Sequence, residues 1–217
     1  MASKSALRIA FFGMVAAIGL ASSSALACKG AESLLRDDFS DEDPAWGIQD
    51  RNATDIAGGA MKLTSEPGHF VQLNYQGMTF PAADVCIDIV APSTPVKNTT
   101  QGGLGFWNGK GWTYAYVQSD GTAGVEALTD GIWVNPVPAR KFDGLNLGTG
   151  AVNKLRVVWK GPPDPNANAA PDPTVQVYIN DKFFIKFKTP PNLGRIIALF
   201  ADSSGSTYQF KNLVVTQ

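Results

Sequence analysis

Hydrophobic and polar residues alternate with a period of two along much of this chain. In KLRVVWK, Leu155, Val157 and Trp159 share one face, while Lys154, Arg156 and Lys160 share the other with Val158. In TVQVYIN, Val175, Val177 and Ile179 oppose Gln176 and Tyr178. Successive side chains of a strand point to opposite faces, so the pattern predicts antiparallel strands with one buried face. AMKLT, HFVQLNY, DVCIDIV, LGFWN, TYAYVQ, GVEALT, KFFIKFK, RIIALFA and YQFKNLVVT read the same way. Most are short, rich in β-branched and aromatic residues, and bounded by Gly, Asn, Asp or Pro. Asn180-Asp181 lies between two such runs, and both residues tolerate positive φ, which predicts a tight hairpin. No long segment of period 3.6 follows the N-terminal leader, which leaves an all-β sandwich or barrel. The Pro-rich stretch GPPDPNANAAPDP, residues 161–173, cannot pair as a central strand. The runs beside it look like hairpin partners, so it is expected to be an extended loop within one domain.

The leader changes the setting. Lys4 and Arg8 precede an uncharged apolar run over residues 9–20, and a small-residue stretch ends at Ala25-Leu26-Ala27. This is the pattern of a secretory signal peptide, residues 1–27, cleaved before Cys28. The apolar run is shorter than the roughly 20 residues of a membrane span. The expectation is an exported protein, periplasmic or extracellular, whose single β-sandwich domain is residues 28–217, with no stable membrane span after cleavage. A lipoprotein modified at Cys28 is the alternative, although Ala25 stands where such signals usually carry Leu. Cys28 and Cys86 are the two cysteines. In an exported protein an even pair predicts a disulfide. Val85, Ile87 and Ile89 share the expected core face, so Cys86 points the other way with Asp88, within reach of the N-terminus. Two free thiols are the plainer alternative.

Charge narrows the partners. The chain has 18 basic and 19 acidic residues and no block of like charge. Nucleic acid is disfavoured as a partner, because phosphate binding needs a basic surface. The lone His69 argues against a His-rich zinc site. In RDDFSDED, Asp37, Asp38, Asp41 and Asp43 offer oxygen donors of the kind calcium takes. Their spacing matches no EF-hand, and an acidic solvated turn accounts for them equally well.

Several segments, in order, resemble the concanavalin A-like sandwich domains. LLRDDFSDEDPAWGI is similar to their opening DDFS…W, and GGAMKLTSE to the following G-x-L-x-L strand. GGLGFWNGKGWTYAYVQSDG resembles their aromatic hairpin, and VNKLRVVWKG, VQVYINDKFF and YQFKNLVVT resemble the later strands. The nearest branch is the laminin-G-like and 3-keto-disaccharide hydrolase-like group, which includes family 16 glycoside hydrolase-like domains. The resemblance implies a jelly-roll sandwich of two curved antiparallel sheets, with a concave face where relatives often bind glycans or oligosaccharides. Some laminin-G-like relatives also bind calcium. One fold hosts many functions, so the resemblance leaves activity open.

The glucanase motif of the family, E-x-D-x-E on one strand, is absent: Glu32, Glu42, Glu66 and Glu126 are the four glutamates, and none stands in it. Asp84 and Asp88 share a strand face, but at about 3.3 Å per residue their backbones stand about 13 Å apart. Catalytic glycosidase pairs lie roughly 5–9.5 Å apart. An exposed, solubilising pair is the expectation there. DSSGS has no flanking nucleophile-elbow context.

The binding candidates are aromatic. Trp112, Tyr114 and Tyr116 share a strand face, Trp107 and Trp112 flank the turn NGKG with Asn108 and Lys110 as polar partners, and Trp133 is a further rim aromatic. Sugar rings stack on aromatic rings, but large aromatics also dominate core burial. Strand period alone does not say which face is inward. Three functions therefore stand side by side: a non-catalytic glycan-binding or scaffolding sandwich, a hydrolase of the keto-disaccharide type, and a protein-binding envelope module. Convergence of two or more carboxylates in a deep pocket would favour the second, and a broad apolar patch the third.

Overall fold

The computed structural model describes residues 28–93, 99–107, 109–160, 174–189 and 195–217. The leader, Asn108 and the Pro-rich stretch 161–173 lie outside the described residues. Two sheets stack face to face. One has eight strands, in the order β12 (Lys182–Lys188), β11 (Thr174–Ile179), β10 (Val152–Trp159), β5 (Ala83–Val90), β14 (Thr207–Thr216), β3 (Met61–Thr64) and β2 (Thr54–Ile56), with β1 (Ser33–Asp37) also pairing on β14. The other has six, in the order β4 (Val71–Asn74), β13 (Ile196–Asp202), β6 (Gln101–Trp107), β7 (Gly111–Gln118), β8 (Thr122–Thr129) and β9 (Ile132–Lys141). Among the described residues the helical content is one 3-10 turn, Pro44–Trp46, capped by the Asp43 side chain. None of the described helical segments is long and apolar enough to cross a membrane.

Alternation places the core where the pattern predicted. Leu155, Val157 and Trp159 of β10 and Val175, Val177 and Ile179 of β11 all point between the sheets. They meet Leu104, Phe106, Ala115 and Val117 of the six-stranded sheet, and Phe106 stacks on Trp159 at 5.8 Å. β10 and β11 are paired from Leu155↔Ile179 to Trp159↔Val175, so the chain on either side of the Pro-rich stretch is one ladder. Asn180 and Asp181 have φ of 50° and 64°, the conformation of a two-residue hairpin turn with both central residues left-handed.

Three strands do not stand out in the pattern. β1 and β2 are short, and β9 carries Pro136 and Pro138. β9 is an edge strand whose register shifts twice against β8, so its prolines interrupt no central ladder.

Cys28 and Cys86 form a disulfide, with Cα atoms 5.8 Å apart, on the outer face of the eight-stranded sheet. The bridge lays the segment after Cys28 over this face, where the Gly30 N–H donates to Thr216 Oγ1. That covering corrects the expectation for Asp84. It is buried rather than exposed, and it accepts from the Lys29 N–H and, at 2.7 Å each, from Arg156 Nε and Nη2. The guanidinium also sits 4.7 Å over the Tyr178 ring. A carboxylate taken out of water needs such a partner, and Arg156 lies in the neighbouring strand to supply it. Asp88 stays at the surface and accepts from Asn212 Nδ2.

Candidate functional site

The open face of the six-stranded sheet, turned away from the core, carries the aromatic stripe in cross-strand rows. One row runs Ile196, Trp107, Trp112, Leu128, Trp133. The next runs Asn74, Ala198, Gly105, Tyr114, Glu126. A third runs Gln72, Phe200, Gly103, Tyr116, Gly124, and Asp202 pairs with Gln101 and Gln101 with Gln118 beyond it. Tyr114 and Tyr116 thus face away from the inter-sheet core, yet they are only 1% and 5% exposed. They are buried by lying flat. Tyr114 leans over Gly105, where a Cβ would meet its ring at 3.0 Å, and donates a 2.6 Å hydrogen bond to Gln72 Oε1 on the far edge strand. Tyr116 rests over Gly124, where a Cβ would come 2.5 Å from its hydroxyl. Phe200 packs edge-on against Tyr114 at 4.8 Å to complete this floor. Burial, reinforced by the charges of Glu126 and Asp120, pushes the Tyr116 phenol up to about 12. Burial and Glu126 raise that of Tyr114 as well.

A pocket of about 450 Å³ opens on this floor, lined by Gly68, His69, Phe70, Gln101, Tyr114, Glu126, Trp133, Phe200 and Asp202. That volume falls in the range of roughly 300–1,000 Å³ typical of small-molecule sites. Phe70 and Trp133, each about half exposed, meet edge-to-face above it. The polar groups form a directed chain: Thr122 donates to Gln118, Gln118 Nε2 to Gln101 Oε1, and Gln101 Nε2 to Glu126 Oε1. Burial raises the Glu126 carboxyl above its ordinary value, partly offset by the Gln101 hydrogen bond and reinforced by the charge of Asp202. Burial raises Asp202 too.

Of the residues singled out in the sequence, Tyr114 and Trp133 line this pocket, and Tyr116 is buried in the floor. Trp107 and Trp112 pair at 5.6 Å, and Trp112 stacks on Tyr114 at 6.2 Å, so they extend the aromatic surface beside the pocket rather than line it. Lys110 is exposed in the turn, outside the pocket lining, and Asn108 lies outside the described residues. Glu126, Asp202, Gln101, His69 and Phe70 were not singled out as ligand-binding residues. Glu126 had one signal: Val125 and Ala127 are apolar neighbours in GVEALT, which puts it on the face opposite theirs.

The acidic segment forms a separate depression of about 540 Å³. Asp37 accepts from the Phe39 N–H and from Trp46 Nε1, and Asp43 from the Ala45 N–H and the Tyr75 hydroxyl. Asp38 accepts from the Ser40 N–H. These bonds shape the turn around the buried Trp46, and Asp41 joins Asp37, Asp38 and Asp43 in lining the depression.

No family model and no curated protein sequence matches the chain. Solved structures do. The chain superposes on a Bacteroides ovatus mixed-linkage glucan GH16 protein in complex with G4G4G3G product (TM-score 0.59, 12% identity, 84% of this chain and 99% of that one). It superposes likewise on the Bacillus licheniformis β-glucanase (0.55, 12%, 87% and 100%). The carbohydrate-binding module CBM66 of Bacillus subtilis also matches (0.52, 12%, 70% and 84%). The fold is a concanavalin A-like jelly roll. In this jelly roll the pocket sits on the open sheet, and the disulfide lies on the outer face of the other.

Proposed function

We propose that this jelly roll is an exported, non-catalytic carbohydrate-binding or envelope-scaffolding domain that seats an oligosaccharide on the open face of its six-stranded sheet. The observation that carries the reading is the pocket itself. An aromatic surface of Trp107, Trp112, Tyr114, Trp133 and Phe70 runs into a cavity whose base holds a carboxamide and two carboxylates. Rings offer stacking surface to the C–H faces of a sugar, while Gln101, Glu126 and Asp202 accept from its hydroxyls. The glucan product in the Bacteroides ovatus structure and the binding-module neighbour support a saccharide as occupant. The disulfide supports an oxidising compartment, and the leader supplies the route: cleavage before Cys28 and release to the periplasm or beyond. Titration calorimetry against a panel of oligosaccharides tests it. Trp133→Ala and Trp112→Ala are expected to weaken binding about tenfold or more with little change in melting temperature, since stacking losses of about 1.4 kcal/mol suffice. Absence of binding to every saccharide in the panel would overturn it.

A hydrolase is the second reading, favoured by one observation: the carboxyls of Glu126 and Asp202 open into the same pocket, each held more readily protonated than a free one. A raised carboxyl suits a general acid. Turnover of a glycoside or keto-disaccharide, abolished by both Glu126→Gln and Asp202→Asn, would establish it over the binding role.

A further inference from the structure

We propose that the pocket selects a sugar bearing a free ammonium group, an amino sugar rather than a neutral, N-acylated or acidic one. The proposal rests on the saccharide-binding reading of this face and sharpens it. Its basis is a mismatch of charge beside an aromatic wall. Phe70, Tyr114 and Trp133 pack on one another at 5.6–6.2 Å, centroid to centroid, and present one aromatic wall to the cavity, with Phe200 against Tyr114 in its floor. Ring faces attract a cation, most strongly where water is excluded. Glu126 and Asp202 share the cavity with this wall, and no lysine or arginine stands among the described lining residues to balance them. Glu126 takes one amide hydrogen bond, from Gln101, and among the described residues no hydrogen bond or ion pair reaches the Asp202 carboxylate. Among the described lining residues, His69, at the exposed rim, is the one able to carry positive charge. Burial raises the affinity of both carboxyls for protons, and the charge of Asp202 adds to the effect on Glu126.

An ammonium group satisfies both halves of the site. It donates charge-assisted hydrogen bonds to the acids while its carbon neighbours rest on the rings. A uronate or sulfated sugar would bring a third negative charge into a half-buried site and is repelled. A neutral sugar stacks but leaves the carboxylates uncompensated. An N-acetyl group removes the charge and leaves the acids one neutral N–H donor in place of a charged ammonium.

The test is calorimetry of the full chain, at mildly acidic to neutral pH, with β-1,4-linked tetramers of glucosamine, N-acetylglucosamine and glucose, and with choline as a sugar-free ammonium. The glucosamine tetramer is expected to bind about tenfold or more tighter than the other two. Asp202→Asn with Glu126→Gln should erase that preference, so that the glucosamine and glucose tetramers bind alike, in a protein whose circular dichroism matches the wild type. Equal binding of the three tetramers, or a preference for the N-acetylated one, overturns the ammonium proposal while saccharide binding stands. Choline binding as tightly as the glucosamine tetramer overturns the sugar and keeps the cation chemistry. No binding by any of the four overturns both readings.

Discussion

Phe70 precedes the strand at one edge of the six-stranded sheet and Trp133 lies in the strand at the other, yet their rings meet at 5.7 Å with planes 87° apart. The contact closes an arch over the open face. Its two members are each about half exposed, so little of the fold's stability depends on them. Phe70→Ala is expected to leave the melting temperature nearly unchanged and to speed ligand dissociation, measured by stopped-flow intrinsic tryptophan fluorescence. A large fall in melting temperature would instead make the arch part of the structural core.

Gly103 tests the flat-lying floor. A Cβ there would stand 2.1 Å from the Ala115 carbonyl oxygen and 2.7 Å from the Phe200 ring. Backbone cannot yield as a flexible side chain does, so Gly103→Ala should destabilise the fold by about 1–3 kcal/mol, read from urea denaturation. A neutral result would mean that β6 and β7 have room to separate.

Acidity should stabilise the open face. Glu126 and Asp202 have folded-state pKa values raised above the ordinary 4.5 and 3.8, so the fold holds protons that the unfolded chain has released. Their contribution is greatest below those ordinary values and is lost as pH rises through the folded ones. Glu126→Gln and Asp202→Asn, which keep the shape without the charge, should each raise the melting temperature at neutral pH and converge with wild type in acid. Variants less stable than wild type at neutral pH would show that the carboxylates are compensated.

Arg156→Ala should cost about 3–5 kcal/mol, because it strands a buried carboxylate on Asp84. Replacing both partners, Asp84→Leu with Arg156→Met, should recover most of that loss. Chemical denaturation of Asp84→Leu, Arg156→Met and the double variant gives the coupling directly, and additive losses would mean that the pair is not interacting.

The disulfide closes a separation of 58 residues. Its removal by Cys86→Ser is expected to lower stability by about 2–5 kcal/mol. Mass spectrometry without reductant should find a peptide joining Cys28 to Cys86 and no alkylated thiol.

The class of fold and the composition of the core were legible strand by strand. Side-chain alternation is a property of each strand alone, so Leu155, Val157 and Trp159, or Val175, Val177 and Ile179, declare their shared face without knowledge of any neighbour. Asn180-Asp181 declared its turn for the same local reason, and Cys86 its direction. What lies on the open face emerged from the assembly of the two sheets. The sense in which TYAYVQ presents its aromatics depends on which face the second sheet covers. The burial of Tyr114 depends on Gly105, a pairing partner nine residues earlier, and on Gln72, three strands away. Glu126 in β8 and Asp202 in β13 lie 76 residues apart in the chain and three steps apart in the sheet, so their meeting in one pocket follows from strand order and side-chain reach, which no single segment encodes. Asp84 makes the same point in reverse: its strand position alone suggested solvent, and a disulfide and a cross-strand arginine buried it.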